Sequence, residues 1–171
     1  AASLPNLNSL VLAGTAIDDD AMEAVARIAT LSRLVLSETS VSDAGLPPLL
    51  ALEHLAELVL WRTRVRGAGF ESLSGLRSLR SLELGGSPVD DAGLEAIARL
   101  RSLERLELWD TAISDRGVAA LKDHPSIEDL QLWYTEVGDA SVPIFGTLPR
   151  LRNLWLGGTG VTERGLSDLG G

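Results

Sequence analysis

Apolar residues recur along the chain in one pattern that repeats every 24 residues. The unit reads Leu-x-x-Leu-x-Leu-x-x-Thr-x-Val/Ile, then Ser/Thr/Asp-Asp-Ala-Gly-Leu, then two further apolar positions three residues apart. No insertion or deletion interrupts the series, whose first positions are Leu7, Leu31, Leu55, Leu79, Leu103, Ile127 and Leu151. A repeat of this constancy predicts a solenoid of stacked units.

The two halves of the unit have different periods. Leu-x-Leu alternates with period two, which predicts a short strand with its leucines on one side. Apolar residues three apart in the second half, such as Leu94, Ile97 and Leu100, predict a helix. We expect a parallel sheet with helices behind it. Because strands lie about 4.8 Å apart and helices are about 10 Å wide, the stack should bend into an arc with a concave sheet.

Polar and small residues mark the start of each predicted helix. Pro47 and Pro48 suit a first helical turn. The side chains expected to accept the free backbone N–H groups there are Ser42, Asp90 and Ser114 with Asp43, Asp91, Asp115 and Asp139. The positions where we expect the backbone of the neighbouring repeat to approach closely are Gly45, Gly69, Gly93, Gly117 and Gly165.

A hydroxyl residue follows every predicted strand at one position. We expect these hydroxyls to bond to the backbone of the adjacent repeat and form a buried polar ladder. No histidine or carboxylate recurs beside them to activate one as a nucleophile, which favours a structural role. The residues are Thr15, Thr39, Thr63, Ser87, Thr111, Thr135 and Thr159.

With these residues the chain resembles the leucine-rich repeat (LRR) superfamily. Segments 39–46, 87–94 and 159–166 are similar to the helix-backed repeats of many bacterial proteins and to the cysteine-containing repeats of F-box proteins. This chain departs from the latter because it has no cysteine, and no F-box-like helical segment is seen before the repeats. The resemblance implies a right-handed α/β horseshoe and, most often, binding of another protein.

We expect residues 1–171 to form a single domain of about seven repeats. The chain starts within a repeat, with Leu4 at the last core position of a preceding unit. It ends at Gly170 and Gly171, inside the seventh helical segment. Neither end shows a polar capping repeat. We therefore expect either a piece of a longer protein or ends that are capped in another way.

Composition narrows the classes of partner. With 24 acidic and 15 basic side chains the net charge is −9, which argues against general binding to nucleic acid or anionic membrane and allows a basic partner. No apolar run reaches the roughly 20 residues of a membrane span, and no signal peptide is visible, so the compartment stays open. The absence of cysteine removes thiolate sites, and no phosphate-loop or metal motif appears, so we expect no cofactor or metal.

All four tryptophans fall on strand positions that should face the concave side. Trp109 and Trp133 should be lateral neighbours and, with Trp155 on the next strand, should form a contiguous aromatic patch over the last three repeats. Gly85 should leave a gap between Trp61 and Trp109. Exposed aromatic and arginine clusters are typical of binding hot spots, and surrounding carboxylates, with Asp129 and Glu136 among them, would suit a ligand that places Arg or Lys over a ring. The predicted binding residues are Trp61, Arg62, Arg64, Glu83, Glu107, Trp109, Asp110, Gln131, Trp133, Tyr134 and Trp155.

The remaining candidates have structural explanations. His124 stands where other repeats place Leu or Ile, which predicts a partly buried spacer, and His54 should lie on a surface loop. Asp18, Asp19 and Asp20 start a predicted helix and lack the calcium-loop pattern, so capping is the better interpretation.

Three functions fit the sequence. The first is a module that binds a protein or peptide on its concave face. The second is a structural or regulatory arm of a larger protein, or a surface for self-association. The third and most remote is carbohydrate binding or hydrolysis, because tryptophans also stack on sugars and Glu83 and Glu107 could form a carboxylate pair. An open sheet with nothing to exclude water disfavours the enzyme, so we expect no catalytic activity.

Overall fold

Seven short strands form one parallel sheet, in chain order, in the computed structural model, which describes residues 4–167. Each strand residue pairs with the residue 24 positions later, as Leu34 does with Leu58 and Leu82 with Leu106. The constant repeat length therefore sets the register of the sheet. The strands are β1 (Ser9–Val11), β2 (Arg33–Val35), β3 (Glu57–Val59), β4 (Ser81–Glu83), β5 (Arg105–Glu107), β6 (Asp129–Gln131) and β7 (Asn153–Trp155).

Short helical segments follow the strands and form the back of the arc. The α-helices are α1 (Met22–Ala26), α2 (Asp91–Ile97), α3 (Asp115–Val118), α4 (Val142–Phe145) and α5 (Glu163–Leu166). The 3-10 helices are Asp19–Ala21, Asp43–Gly45, Pro47–Ala51, Ala68–Leu73, Ala119–Leu121 and Asp139–Ser141.

The predicted parallel sheet with helical segments between its strands is confirmed, although most of these segments are only one or two turns long. Pro47 and Pro48 do begin a helical segment, as predicted, but it is of the 3-10 type. Proline removes backbone donors, which favours a short, tight turn over a longer α-helix in this repeat. None of the helices within residues 4–167 combines the length and apolarity that crossing a bilayer requires.

The leucines of the strands and the apolar residues of the helical turns form one continuous core. Leu34, Leu58 and Leu82 in the middle repeats are fully buried, whereas Leu10 and Leu154 in the first and last strands are only half-buried. Leu4 does not occupy a core position as expected. It is 64% exposed, because no described repeat packs on that side. The expected end of the last helical segment at Gly170 and Gly171 lies outside the described residues.

The helix caps form largely as predicted. Ser42, Asp90 and Ser114 each accept a backbone N–H group of the first turn of their own helix. Asp18 does the same for the turn that follows it, which confirms the capping prediction for Asp18. The part of the chain that the structure describes contains no cluster of acidic residues and histidines arranged to hold a metal ion.

The aspartates after the caps have a different role from the one expected. Asp91 accepts hydrogen bonds from the N–H (2.8 Å) and the hydroxyl (2.7 Å) of Ser114 in the next repeat. The prediction that they cap their own helix is wrong, because stacking brings the next cap residue within reach of the carboxylate. Equivalent bonds to the following repeat are made by Asp19, Asp43, Asp115 and Asp139.

The recurring glycines lie where those carboxylates pack, which confirms the predicted close approach. A Cβ atom added to Gly45 would lie 2.5 Å from Oδ1 of Asp19 in the preceding repeat. The third repeat lacks the aspartate, and Gly67 takes its place with φ of 105°. Gly93 then packs directly on the backbone of Arg66 and Gly67. Glycine is needed at both ends of this contact because a side chain would fill the gap.

The hydroxyl ladder predicted after the strands is not the one that forms. In six of the seven repeats the threonine hydroxyl donates to the carbonyl three residues earlier in its own repeat, for example Thr39 to Leu36 at 2.6 Å. Only Ser87 reaches the preceding repeat, where its hydroxyl donates to the Leu60 carbonyl at 2.7 Å. The side-chain hydrogen bond that recurs from repeat to repeat is therefore made by the aspartates rather than by these threonines.

His124 occupies the expected core position but is completely buried rather than partly buried. Its Nε2 lies 3.3 Å from the Leu100 carbonyl, and its Nδ1 lies 3.4 Å from the Ser126 amide. Burial, together with the positive charge of Arg101, lowers the pKa of His124 to about 4. The ring is therefore neutral at physiological pH, with Nε2 as donor and Nδ1 as acceptor. His54 is exposed, as predicted.

The contact between repeats predicts a specific loss of stability. Asp91→Ala should lower the free energy of unfolding by about 1–2 kcal/mol, because it leaves the amide and hydroxyl of Ser114 unpaired in a half-buried place. Glu95→Ala, at an exposed position of the same helix, should change it by less than about 0.5 kcal/mol. Urea denaturation measures both values, and equal losses would contradict the inter-repeat role of Asp91.

Candidate functional site

The residue three positions after each strand's last member lies in a loop and has an unusual backbone conformation. Every repeat has a left-handed residue at this position, with φ between 51° and 71°. Glycine fills it in three repeats, and four repeats hold a side chain there: Glu38, Arg62, Asp110 and Tyr134. A non-glycine residue in this conformation costs roughly 1–2 kcal/mol relative to the right-handed region. Three of these four residues directly follow a tryptophan.

Trp61 and Trp109 form an aromatic pair at the centre of this edge. Their ring centroids are 6.3 Å apart and their planes meet at 64°, an edge-to-face arrangement. We expected Gly85 to separate the two rings, and this is wrong. Because Gly85 has no side chain, the indole of Trp109 leans across it, and an added Cβ would overlap the ring. Trp61 remains 37% exposed and Trp109 is half-buried.

Trp133 and Trp155 lie further along the arc and do not join that pair. Within residues 4–167 the only aromatic ring pair is Trp61 with Trp109, so the predicted lateral contact between Trp109 and Trp133 does not form. Trp133 is 38% exposed, and Trp155 is half-buried. Tyr134 is 68% exposed, and its ring lies over Gly158 of the next repeat. The aromatic surface is thus divided into a central pair and a second group at the C-terminal end.

Charged side chains border the aromatic pair. The guanidinium of Arg62 lies 3.8 Å from the Glu38 carboxylate, and the Arg62 side-chain stem runs beside Gly86. Glu38, Arg62 and the two rings line a small cleft of about 260 Å³. Asp110 is exposed at the next loop. Arg64 is exposed two residues beyond Arg62 and pairs with Ser42 through the backbone, away from the ring pair.

Glu83 and Glu107 occupy adjacent, directly paired positions of β4 and β5. Glu107 is only 8% exposed and accepts a hydrogen bond from the Gln131 side-chain amide at 3.0 Å. Glu83 is half-buried, and in the described part of the chain no side chain forms an ion pair or hydrogen bond with it. The two carboxylates lie on the strands that lead to Gly85 and Trp109.

Three contributors to this site were not predicted from the sequence. Glu38 pairs with Arg62, and the signal was its place 24 residues before Arg62. Arg33 and Glu57 form an ion pair of 2.8 Å on the neighbouring strands. The left-handed loop position was also missed, although the glycines at 14, 86 and 158 marked it.

Comparison with known families decides the classification. A family model described as "FBD-associated F-box protein At5g56370, LRR repeats" matches residues 1–142. The chain belongs to the leucine-rich repeat family.

Solved leucine-rich repeat structures share the fold of this LRR chain. An internalin (InlF) from Listeria monocytogenes superposes with a TM-score of 0.78 at 23% identity, over 97% of this chain and 46% of that one. The mouse RP105/MD-1 complex gives 0.75 at 23% identity, over 94% and 27%. The plant peptide hormone receptor RGFR1 in complex with RGF2 gives 0.62 at 17% identity, over 96% and 27%. The LRR chain therefore spans less than half the length of each. A comparison with curated proteins finds no match.

Electrostatic conditions on the concave face of this LRR chain disfavour ionisation of its central carboxylates. Burial raises the pKa of Glu83 to about 7, with the negative charges of Glu107 and Glu57 adding to the effect and Arg105 and Arg33 opposing it. Burial also raises the pKa of Glu107, although Arg105 and the bond from Gln131 oppose the shift. A positive group placed beside Glu83 would relieve this strain.

The raised pKa predicts how stability depends on pH. Since the pKa of Glu83 is about 7 when folded and 4.5 when unfolded, the folded state binds more protons between these values and stability falls as pH rises through that range. Glu83→Gln should therefore raise Tm at about pH 8 and change it little at about pH 4. The control is Glu136→Gln, at an exposed carboxylate that is not among the charges acting on Glu83, and it should give no such difference. Calorimetric melting at both pH values measures this, and a pH-independent effect of Glu83→Gln would contradict the raised pKa.

Proposed function

We propose that the concave face binds an extended protein or peptide segment that carries basic side chains. The observation that carries the proposal is the half-exposed Trp61–Trp109 pair beside the unpaired carboxylate of Glu83. Large aromatic residues at a surface are the commonest energetic anchors of protein interfaces. Trp155 ends a strand, and the other three tryptophans each lie two residues beyond the end of one, so all four would border the same surface.

The loop conformations support the same surface. Arg62, Asp110 and Tyr134 hold a left-handed backbone although glycine fills the equivalent position in three other repeats. Each of the three is exposed and directly follows a tryptophan. Backbone strain that persists at exposed side chains is typical of functional sites. These residues would extend the contact surface from the strands onto the loop edge.

Charge supports a basic partner. The four neighbouring strands β3 to β6 each carry one acidic residue of this face: Glu57, Glu83, Glu107 and Asp129. The basic residues within strands β2 to β6 are Arg33 and Arg105. An Arg or Lys side chain over an indole gains a cation–π contact, and a carboxylate behind the ring adds a charge-assisted hydrogen bond. The partner side chain would thereby supply the cation that Glu83 lacks.

The family supports binding in general terms. Proteins of the leucine-rich repeat family commonly act in protein–protein interaction. Two of the structures with the same fold contain partners, RGF2 with the receptor RGFR1 and MD-1 with RP105. A second copy of this chain on the same face is the alternative partner, and it predicts a molecular mass that rises with concentration.

A peptide selection tests the binding face. Peptides selected from a displayed random library against the domain should be rich in Arg and Lys. Trp61→Ala or Trp133→Ala should weaken the best peptide by about 30-fold, or about 2 kcal/mol, because an aromatic anchor is lost. Leu50→Ala, at an exposed leucine on the helical side, should leave the affinity unchanged. Unchanged affinity in both tryptophan variants would contradict this proposal.

The proposed role of Glu83 predicts that binding depends on pH. A basic peptide prefers ionised Glu83, whose pKa is about 7 in the free protein, so affinity should rise from about pH 6 to about pH 8 with release of a proton. Glu83→Gln should weaken binding at the higher pH and flatten the profile. Titration calorimetry with a histidine-free peptide measures both, with His54→Gln as the control that keeps the profile. An identical profile in Glu83→Gln would exclude this carboxylate as the anchor.

A further inference from the structure

A cleft of about 580 Å³ lies on the opposite edge of the arc from the tryptophan loops. Its walls come from the segments that lead into β4, β5, β6 and β7, so four consecutive repeats contribute. Five of the residues that line it are arginines: Arg77, Arg80, Arg99, Arg101 and Arg150.

The charge of this cleft is opposite to that of the whole chain. One carboxylate, Glu104, lines it together with the five arginines, whereas the chain carries a net charge of −9. The five arginines are a third of the 15 basic residues. Clustered like charges repel one another, and a concave surface concentrates their field. An anion within the cleft would remove this repulsion.

The contacts that the arginines already make leave most of their donors free. Arg80 Nε lies 3.2 Å from the Glu104 carboxylate, and a terminal N–H of Arg80 donates to the Arg77 carbonyl at 2.6 Å. Arg99 pairs with Glu71, and Arg150 lies 3.8 Å from Glu128, both carboxylates being outside the cleft. Arg101 donates to the backbone carbonyl of Asp123 at 3.2 Å. Each guanidinium has five N–H donors, so these contacts do not exhaust it.

Arg77 is the least engaged of the five. Its side chain forms no ion pair and no hydrogen bond within residues 4–167, and the residue is exposed. Two serine hydroxyls of the cleft are already committed, since Ser102 donates to the Leu79 carbonyl at 2.9 Å and Ser126 to the Arg101 carbonyl at 2.9 Å. Recognition of a ligand here therefore falls mainly to the guanidinium groups, with the exposed Ser74 as a further donor.

We propose that this cleft binds a compact anion that carries two or more phosphoryl groups. The planar fork of arginine matches the oxygens of a phosphoryl group in a bidentate way, and several forks in one cleft favour a multiply charged ligand. The volume is in the range of small-molecule sites. A long polyanion such as duplex nucleic acid would meet the acidic remainder of the surface, which restricts the ligand to one small enough to contact the cleft alone.

Titration calorimetry with inorganic tripolyphosphate at low ionic strength tests the proposal. We expect one ligand per chain. The double variant Arg77→Gln, Arg101→Gln should bind at least about tenfold more weakly, because two charge-assisted contacts are lost. Neither arginine is the ion-pair partner of a carboxylate, so the change leaves no acidic group unpaired, and an unchanged melting temperature confirms the fold.

A matched control separates the cleft from the total charge. Arg66→Gln, Arg116→Gln removes two exposed arginines elsewhere and changes the net charge by the same amount, so its affinity should equal that of the unchanged protein. Equal weakening in the two double variants would overturn the proposal, since it would show diffuse attraction only. Equal affinity for citrate and tripolyphosphate would overturn the assignment of phosphoryl chemistry, as would no binding.

Discussion

Stacking is the constraint on which the rest of this structure depends, because no 24-residue unit can bury its leucines alone. Leu58 and Leu82 are fully buried because repeats lie on both sides of them, whereas Leu10 and Leu154 are only half-buried. Each leucine must therefore lie beside the equivalent leucine of the next repeat in the stack. The equal length of all the units satisfies this requirement and aligns the strands of the sheet in one register.

The same constraint decides which polar groups the structure tolerates between repeats. A carboxylate such as that of Asp91 is useful only if the next repeat presents donors at the right place, and the cap residue Ser114 does so. The glycine of the next repeat makes room for that carboxylate. Where Gly67 replaces the aspartate, direct backbone contact with Gly93 replaces the hydrogen bonds, so carboxylate and gap change together.

The residue type differs from repeat to repeat at the two ends of the strands and at the strand positions that point away from the core. The loop edge combines the Trp61–Trp109 pair with carboxylates, and the opposite edge gathers arginines into a cleft. A small residue leaves space for the aromatic ring of a neighbouring repeat, as Gly85 does for Trp109. A rigid repeated scaffold thus supports side chains whose chemistry differs from place to place, which suits a family of binding proteins.

The repeat, the parallel sheet, the core leucines and the caps at Ser42, Asp90 and Ser114 could be predicted from the amino-acid sequence alone. These features follow from period and residue type, which are properties of the chain within one unit. Three features could not be predicted in this way: Trp109 leans across Gly85, Asp91 bonds to the next repeat, and Glu83 forms no ion pair within residues 4–167. Each depends on atoms from neighbouring units that meet only after stacking, where the available space and the nearest charge select the contact.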